Sequence, residues 1–308
     1  MSTPVVTLKN VSKFYGKVMG LNDFTVDFDR GLTGLLGPNG AGKSTMLKLI
    51  TGQIKPSKGR VIVLGEKPWD NPALNREIGY CPEQDTFFRG MTGLQFVTFA
   101  ARMNGHANRK ASRLAWKAIK RVGLTKDASR MVEGYSKGMR QRIKIAQALV
   151  DDPNLLILDE PLAGTDPIGR VKLMELLHDL AREGKDIIVS SHVLYEVERL
   201  TTNIVLVNKG RLVAEGNMHD IRDSMDKYPL TIRIMTTDRT RMAKSSLDLP
   251  AVTSVSMGEN DMELLVKTSS PVRFFPGFQR MVVQKGIEIS SIDSPDDNLD
   301  AIFKYLVD

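Results

Sequence analysis

Short apolar runs recur along the chain at residues 5–8, 32–36, 61–64, 155–158, 187–190 and 204–207, and helix-length amphipathic segments separate several of them. Leu155-Leu156-Ile157-Leu158 and Ile187-Ile188-Val189 are apolar without alternation. Strands of that kind need cover on both faces, which predicts parallel strands in an α/β core. Another strand is predicted to end at Ile78-Gly79-Tyr80. From 91 to 132 the pattern changes: Phe96, Val97, Phe99 and Ala100, then Leu114, Ala115, Ala118, Ile119 and Val122, recur at helical spacing with no strand between them. A helical insertion carried on the core is the expectation. Past Gly216, alternating runs at 230–234, 252–257 and 263–267 and a helix around 275–284 predict a separate small α+β domain. Residues 298–306 predict a closing helix with Leu299, Ile302, Phe303 and Leu306 on one face.

The 308 residues are too many for one small domain and suit a core with a modest appendage. No apolar stretch approaches the roughly 18 residues of a membrane helix, and the first residues lack a signal peptide's charged then apolar layout. A cytoplasmic location is therefore expected. The single cysteine, Cys81, forms no internal disulfide or cysteine metal cluster and reads as a packing residue. The net charge of +7 is spread over pairs such as Arg109-Lys110 and Lys120-Arg121, without the block of like charges that marks a nucleic-acid arm. Direct nucleic-acid binding is not expected.

The chemistry begins at Gly37-Pro38-Asn39-Gly40-Ala41-Gly42-Lys43-Ser44-Thr45, between a strand-like and a helix-like run. Glycines at this spacing let backbone N–H groups turn inward on a phosphate chain, and the helix start adds the positive end of its dipole. Lys43 is predicted to reach the outer phosphates and Ser44 to ligate Mg²⁺. The strand 155–158 runs into Asp159 and Glu160, delivering two carboxylates to the sheet edge where ligands bind in open α/β sheets. Asp159 is predicted to hold Mg²⁺ through water, and Glu160 to orient or deprotonate an attacking water. His192 follows another strand end, where an imidazole able to accept and donate predicts phosphate sensing. Gln84, on spacing alone, is a surface amide. Ser136-Lys137-Gly138, at a helix start, makes either an anion site or a plain N-cap.

Together these segments resemble the ATPase subunit of an ABC transporter over residues 5–220. Residues 37–44 match its Walker A loop, and Asp159 and Glu160 complete its Walker B strand. Tyr135-Ser136-Lys137-Gly138-Met139 stands where the family has Leu-Ser-Gly-Gly-Gln, and Ala163-Gly164-Thr165-Asp166 stands at the D-loop. The resemblance makes Gln84 the Q-loop glutamine, counted with both the catalytic and the metal-binding groups, His192 the switch histidine, and Tyr15 the aromatic that stacks on adenine. It implies a P-loop NTPase core of the ABC type at 1–220 with a helical subdomain at about 91–150, and a small α+β accessory domain at 221–308. It also implies MgATP hydrolysis between two copies, Ser136 and Gly138 of each facing the other's phosphates. A second copy or homologous ATPase subunit and an integral membrane permease are then the partners, with the chain peripheral on the cytoplasmic face. Lys137, Met139 and Thr165 depart from the family pattern, whereas Ser136 and Gly138 keep the hydroxyl and the backbone N–H. The Tyr-Ser-Lys-Gly-Met form and the accessory domain resemble export ATPases with a separately encoded membrane subunit. The alternative is a soluble ATPase of the same class acting on nucleic acid or ribosomes. It is disfavoured by the single set of motifs and by the lack of heptads between Lys43 and Ser136.

Overall fold

A computed structural model describes residues 3–223 and 229–295. The chain divides into two compact units, Met1–Gly216 and Asn217–Asp308. The helix expected at 298–306 lies outside the described residues.

The first unit opens with β1 (Val6–Tyr15), β2 (Val18–Phe28), β3 (Leu32–Leu36), α1 (Lys43–Ile50) and β4 (Lys58–Val63). There follow α2 (Pro72–Asn75), β5 (Ile78–Cys81), α3 (Gly93–Met103), α4 (Asn108–Arg121) and α5 (Lys137–Ala148). It closes with β6 (Leu155–Asp159), α6 (Pro167–Arg182), β7 (Asp186–Ser191), α7 (Leu194–Glu198), β8 (Asn203–Asn208) and β9 (Arg211–Asn217). Six strands form one sheet in the order β5-β6-β7-β3-β8-β9, with β5 through β8 parallel to their neighbours. The unalternating apolar runs are explained by what each face meets. Leu156 and Leu158 join a core with Phe96, Ile119 and Ile143 of the helical insertion, while Leu155 and Ile157 join a second core with Leu47, Phe24 and Val26. Cys81 is buried in the first of these cores.

A three-stranded antiparallel sheet, β2-β1-β4, covers the second core and was not legible in the sequence beyond its fragments at 5–8 and 61–64. Its alternation is broken by register shifts after Leu8 and Val11, where Asn10 and Asp23 take left-handed backbone conformations and bond side chain to side chain at 3.2 Å.

In the second unit α8 (Met218–Asp223) precedes β10 (Leu230–Met235), α9 (Arg239–Ser246), β11 (Val252–Met257), β12 (Glu263–Thr268), α10 (Pro271–Lys285) and β13 (Ser291–Asp293). The antiparallel order β11-β12-β10-β13 is the split β-α-β arrangement used twice. Alternate residues Leu230, Ile232 and Ile234 share a core with Leu264, Val266, Phe274 and Phe278. The described residues of the chain contain no helix long and apolar enough to cross a membrane.

Candidate nucleotide site

The loop between β3 and α1 owes its path to two glycines. Gly37 has φ 155° and a Cβ there would meet the Val207 carbonyl at 2.2 Å; Gly42 has φ 111° and a Cβ would meet the Gly20 carbonyl at 2.6 Å. Only glycine fits both the conformation and the space. Gly42 is also the N-cap of α1 and has no side chain to bond the first-turn N–H groups, which leaves them for an anion. Lys43 is buried, and its Nζ donates to the carbonyls of Gly37 at 2.6 Å and Pro38 at 3.3 Å.

β6 and β7 bring the acids in. Parallel pairing sets Asp159 opposite Ser190, so the Ser190 hydroxyl donates to Asp159 Oδ1 at 2.6 Å and accepts from the Glu160 N–H at 2.9 Å. One hydroxyl thereby fixes both acids. Gln141 from α5 donates to the Glu160 carbonyl at 3.2 Å, and these bonds hold Glu160 in a left-handed conformation, φ 49°, that a non-glycine residue adopts only under constraint. Its buried carboxylate lies between two nitrogens, Oε1 3.4 Å from Lys43 Nζ and Oε2 2.9 Å from His192 Nδ1. The imidazole is 42% exposed. One carboxylate thus links the phosphate-loop lysine to the histidine that follows β7.

A cavity of about 490 Å³ opens on this group. Pro38, Asn39, Gly40, Ala41, Gly42, Lys43, Ser44 and Thr45 line it together with Glu160. Tyr15, Val18 and Met19 add a partly apolar wall; Tyr15 is 45% exposed and carries Lys13 Nζ 5.3 Å from its ring centre. Glu83 reaches the lining while the adjacent Gln84 stays exposed and outside it. Ser136 and Gly138 are not among the lining residues either; Ser136 caps α5, its Oγ accepting from the Met139 N–H at 3.3 Å.

Two oxygen donors suit a divalent cation: the Ser44 hydroxyl, in the cavity lining at the start of α1, and the Asp159 carboxylate, buried at the end of β6 outside that lining. Among the described residues no group of three or more His, Cys, Asp and Glu gathers into a metal cage. That donor set fits Mg²⁺, which takes one or two protein oxygens and completes its shell with phosphate and water, and does not fit a softer ion.

Several contributors carried no motif of their own. Lys144, 1% exposed, donates to the carbonyls of Pro82 at 3.0 Å and Glu83 at 2.8 Å and pairs with Asp85 at 3.2 Å, where Arg140 also pairs at 3.0 Å. These side chains from α5 hold the loop that follows β5. A lysine amid Ile143, Ile145 and Ala146 on a helix was the one available signal. Near the start of α5, the Lys137 side chain lies across Gly164, whose Cβ position is 2.6 Å from Lys137 Nζ. Asp166 caps α6 by accepting from the Gly169 N–H at 2.9 Å, and that bond holds its carboxyl below the usual range.

The family model for ABC transporters matches residues 21–163. The chain is 36% identical over 200 residues to the uncharacterized ABC transporter ATP-binding protein YxlF of Bacillus subtilis, covering 65% of this chain and 66% of that one. It therefore spans just under two thirds of that relative's length. The Nod factor export ATP-binding protein I of Cupriavidus pinatubonensis is 35% identical, with 72% and 69% covered. The bacitracin transport ATP-binding protein BcrA of Bacillus licheniformis matches over 100% of this chain and 98% of its own length at 29% identity. Among solved structures, the dimeric post-hydrolysis state of the ATP-binding cassette MJ0796 bound to ADP and Pi superposes with TM-score 0.63 at 26% identity, covering 69% of this chain and 98% of that one.

Proposed function

The chain belongs to the family of ABC transporter ATP-binding subunits, and from that premise we propose that two copies close around two MgATP, hydrolyse them and drive a separate membrane permease in the outward direction. The observation that carries the catalytic part is the Glu160 carboxylate, buried and shared between Lys43 and His192. A carboxylate fixed at the mouth of a phosphate loop is placed to take a proton from a water attacking the γ-phosphate. Lys43 and the open N–H groups of α1 hold the β- and γ-phosphates, and Tyr15 stacks on the base. Ser44 and Asp159 hold Mg²⁺, which when bound neutralises charge between the phosphates. His192, partly exposed beside Glu160, hydrogen-bonds the γ-phosphate and orients the water with it. Gln84, on the loop anchored by Lys144, reaches the metal and water once the two copies close.

Ser136 and Gly138 stand apart from their own chain's pocket lining and serve a second copy's nucleotide, so a complete site needs two chains. The dimeric cassette among the structural relatives supports that arrangement. Release of the γ-phosphate removes the bridge between the copies, and the helical insertion passes the loosening to the permease. A relative named for Nod factor export supports the outward direction, and one named for bacitracin transport supports a transport role. In this reading residues 1–220 are the ATPase domain, 221–308 an accessory domain, and the chain sits on the cytoplasmic face of a membrane through the permease.

The test is to purify a tagged Glu160→Gln chain from its native membranes in mild detergent with ATP. A multi-spanning membrane protein in near-equal amount is the expected companion. Recovery of the chain with ribosomal proteins or nucleic acid instead would overturn the transport reading and leave the nucleotide site in place.

A further inference from the structure

From residue 86 to residue 126 the sequence holds nine Lys and Arg and no Asp or Glu. The whole chain sets 43 Lys and Arg against 36 Asp and Glu, a net charge of +7. This one stretch therefore carries more positive charge than the molecule does in total, and the remainder is close to neutral. Reading the basic residues as scattered pairs misses that segregation.

The structure gives the charge a face. In α4 the residues Ala111, Ala115, Ala118 and Ile119 are buried against the insertion's core. At 100° per residue, Arg109, Arg113, Trp116 and Lys120 fall in one narrow arc on the opposite side, with Lys110 and Lys117 beside them. All six are exposed. Acids reach only the flank: Lys117 and Arg121 pair with Asp152 and Arg121 also with Glu183, while no acidic side chain of the described residues pairs with Arg109, Lys110, Arg113 or Lys120. Trp116, 40% exposed, lies among those cations instead of turning into the core.

We propose that this face of α4 docks on a membrane surface bearing anionic phospholipid headgroups. Charge complementarity selects an anionic partner, since each unneutralised Lys or Arg gains from the negative surface potential of such a membrane within a Debye length. The indole at the centre of the face selects the membrane over other polyanions: the apolar face of α4 is used up in the protein core, and an exposed amphipathic ring flanked by cations suits the headgroup level, where tryptophan is enriched. A single convex helix offers no groove to track a nucleic-acid single strand, and binding to duplex is kept as an outcome of the test. The choice of membrane also rests in part on the proposed function, which brings the chain to a permease. No described helix is long and apolar enough to cross the bilayer, and the docking proposed here is contact at the membrane surface. Docking would hold the helical insertion against the membrane even when release of the γ-phosphate loosens the pair of copies.

The test uses the purified full chain and vesicles of phosphatidylcholine with or without 30% phosphatidylglycerol, read by co-sedimentation at low and physiological salt; vesicles lack a permease, so failure here leaves permease co-purification untouched. Binding to the anionic vesicles alone, weakened by salt, is expected. Arg109→Gln, Arg113→Gln and Lys120→Gln together should lower the partition coefficient by about fivefold per cation removed, roughly a hundredfold in all. Basal ATPase activity in solution should stay unchanged, which shows that the triple variant is folded. Tryptophan emission should shift to the blue on anionic vesicles, and Trp116→Phe should abolish the shift. Equal binding to neutral and anionic vesicles, or wild-type binding by an active triple variant, would overturn the proposal. Salt-sensitive binding to duplex DNA or RNA that the triple variant loses, with no vesicle binding, would overturn it in favour of a nucleic-acid surface.

Discussion

Glu160 shows how a single residue is fixed by neighbours that no motif names. The sequence identifies it as the second acid at the end of an apolar strand, and that much follows from pattern. The bonds that position it come from Ser190 and Gln141, which meet it only because β6 and β7 pair in one register and α5 packs beside them. Such contacts lie across tens of residues and leave no local signal. With its amide in place of the carboxylate, Glu160→Gln should keep nucleotide binding and lose ATP turnover by about a hundredfold or more, measured as phosphate release at saturating MgATP. Wild-type turnover in that variant would remove Glu160 from the role of base. Gly42 makes the opposite kind of prediction, since its constraint is steric. Gly42→Ala adds a Cβ 2.6 Å from the Gly20 carbonyl at φ 111°, so it should lower stability by about 2 to 3 kcal/mol and weaken nucleotide binding. Chemical denaturation with and without ATP reads both effects, and an unchanged midpoint would contradict the steric account.

At the scale of elements, the parallel strands and the phosphate loop were legible because their signals are local: unbroken apolar runs and glycine spacing. The β1–β2 ladder was not, because its bulges at Asn10 and Asp23 break the period of two on which strand prediction depends. The bond between α5 and the loop after β5 was equally hidden, although it joins the element carrying Ser136 to the loop carrying Glu83 and Gln84. Lys144 holds two loop carbonyls and Asp85 with a nearly inaccessible amine. Lys144→Met keeps the apolar stem and deletes the charge, leaving those acceptors unpaired, and should cost about 2 to 3 kcal/mol of stability. Because the loop's Glu83 lines the cavity at the phosphate loop, where ATP is proposed to bind, the same variant should raise the KM for ATP more than it lowers kcat. An unaltered KM in a destabilised protein would reduce Lys144 to a packing role.

For the molecule as a whole, the division into a nucleotide-binding unit and a second unit follows a change of period past Gly216, from unbroken apolar strands to alternating ones. Less visible was how the helical insertion is joined to the rest of the first unit by charge. Asp152 gathers Lys185 at 2.7 Å, Lys117 at 3.4 Å and Arg121 at 3.7 Å, and the Lys185 ammonium in first place holds its carboxyl below the ordinary value of 3.8. A carboxyl depressed in the folded state contributes stability that is complete above its unfolded pKa and is lost as pH falls through the folded one. Wild type should therefore show a loss of thermal stability below about pH 4 that Asp152→Asn lacks, while the variant is already less stable at pH 7. Parallel pH profiles for the two would contradict this assignment.

The central claim is that one chain holds half of each active site. Its most direct test is the solution mass of the Glu160→Gln chain by light scattering, with and without ATP and Mg²⁺. From a monomer of 34.2 kDa the mass should double when MgATP is added, and should stay at the monomer value when Ser136→Glu is introduced in the same chain. A monomer that binds MgATP without doubling, or a dimer indifferent to nucleotide and to Ser136, would contradict the account.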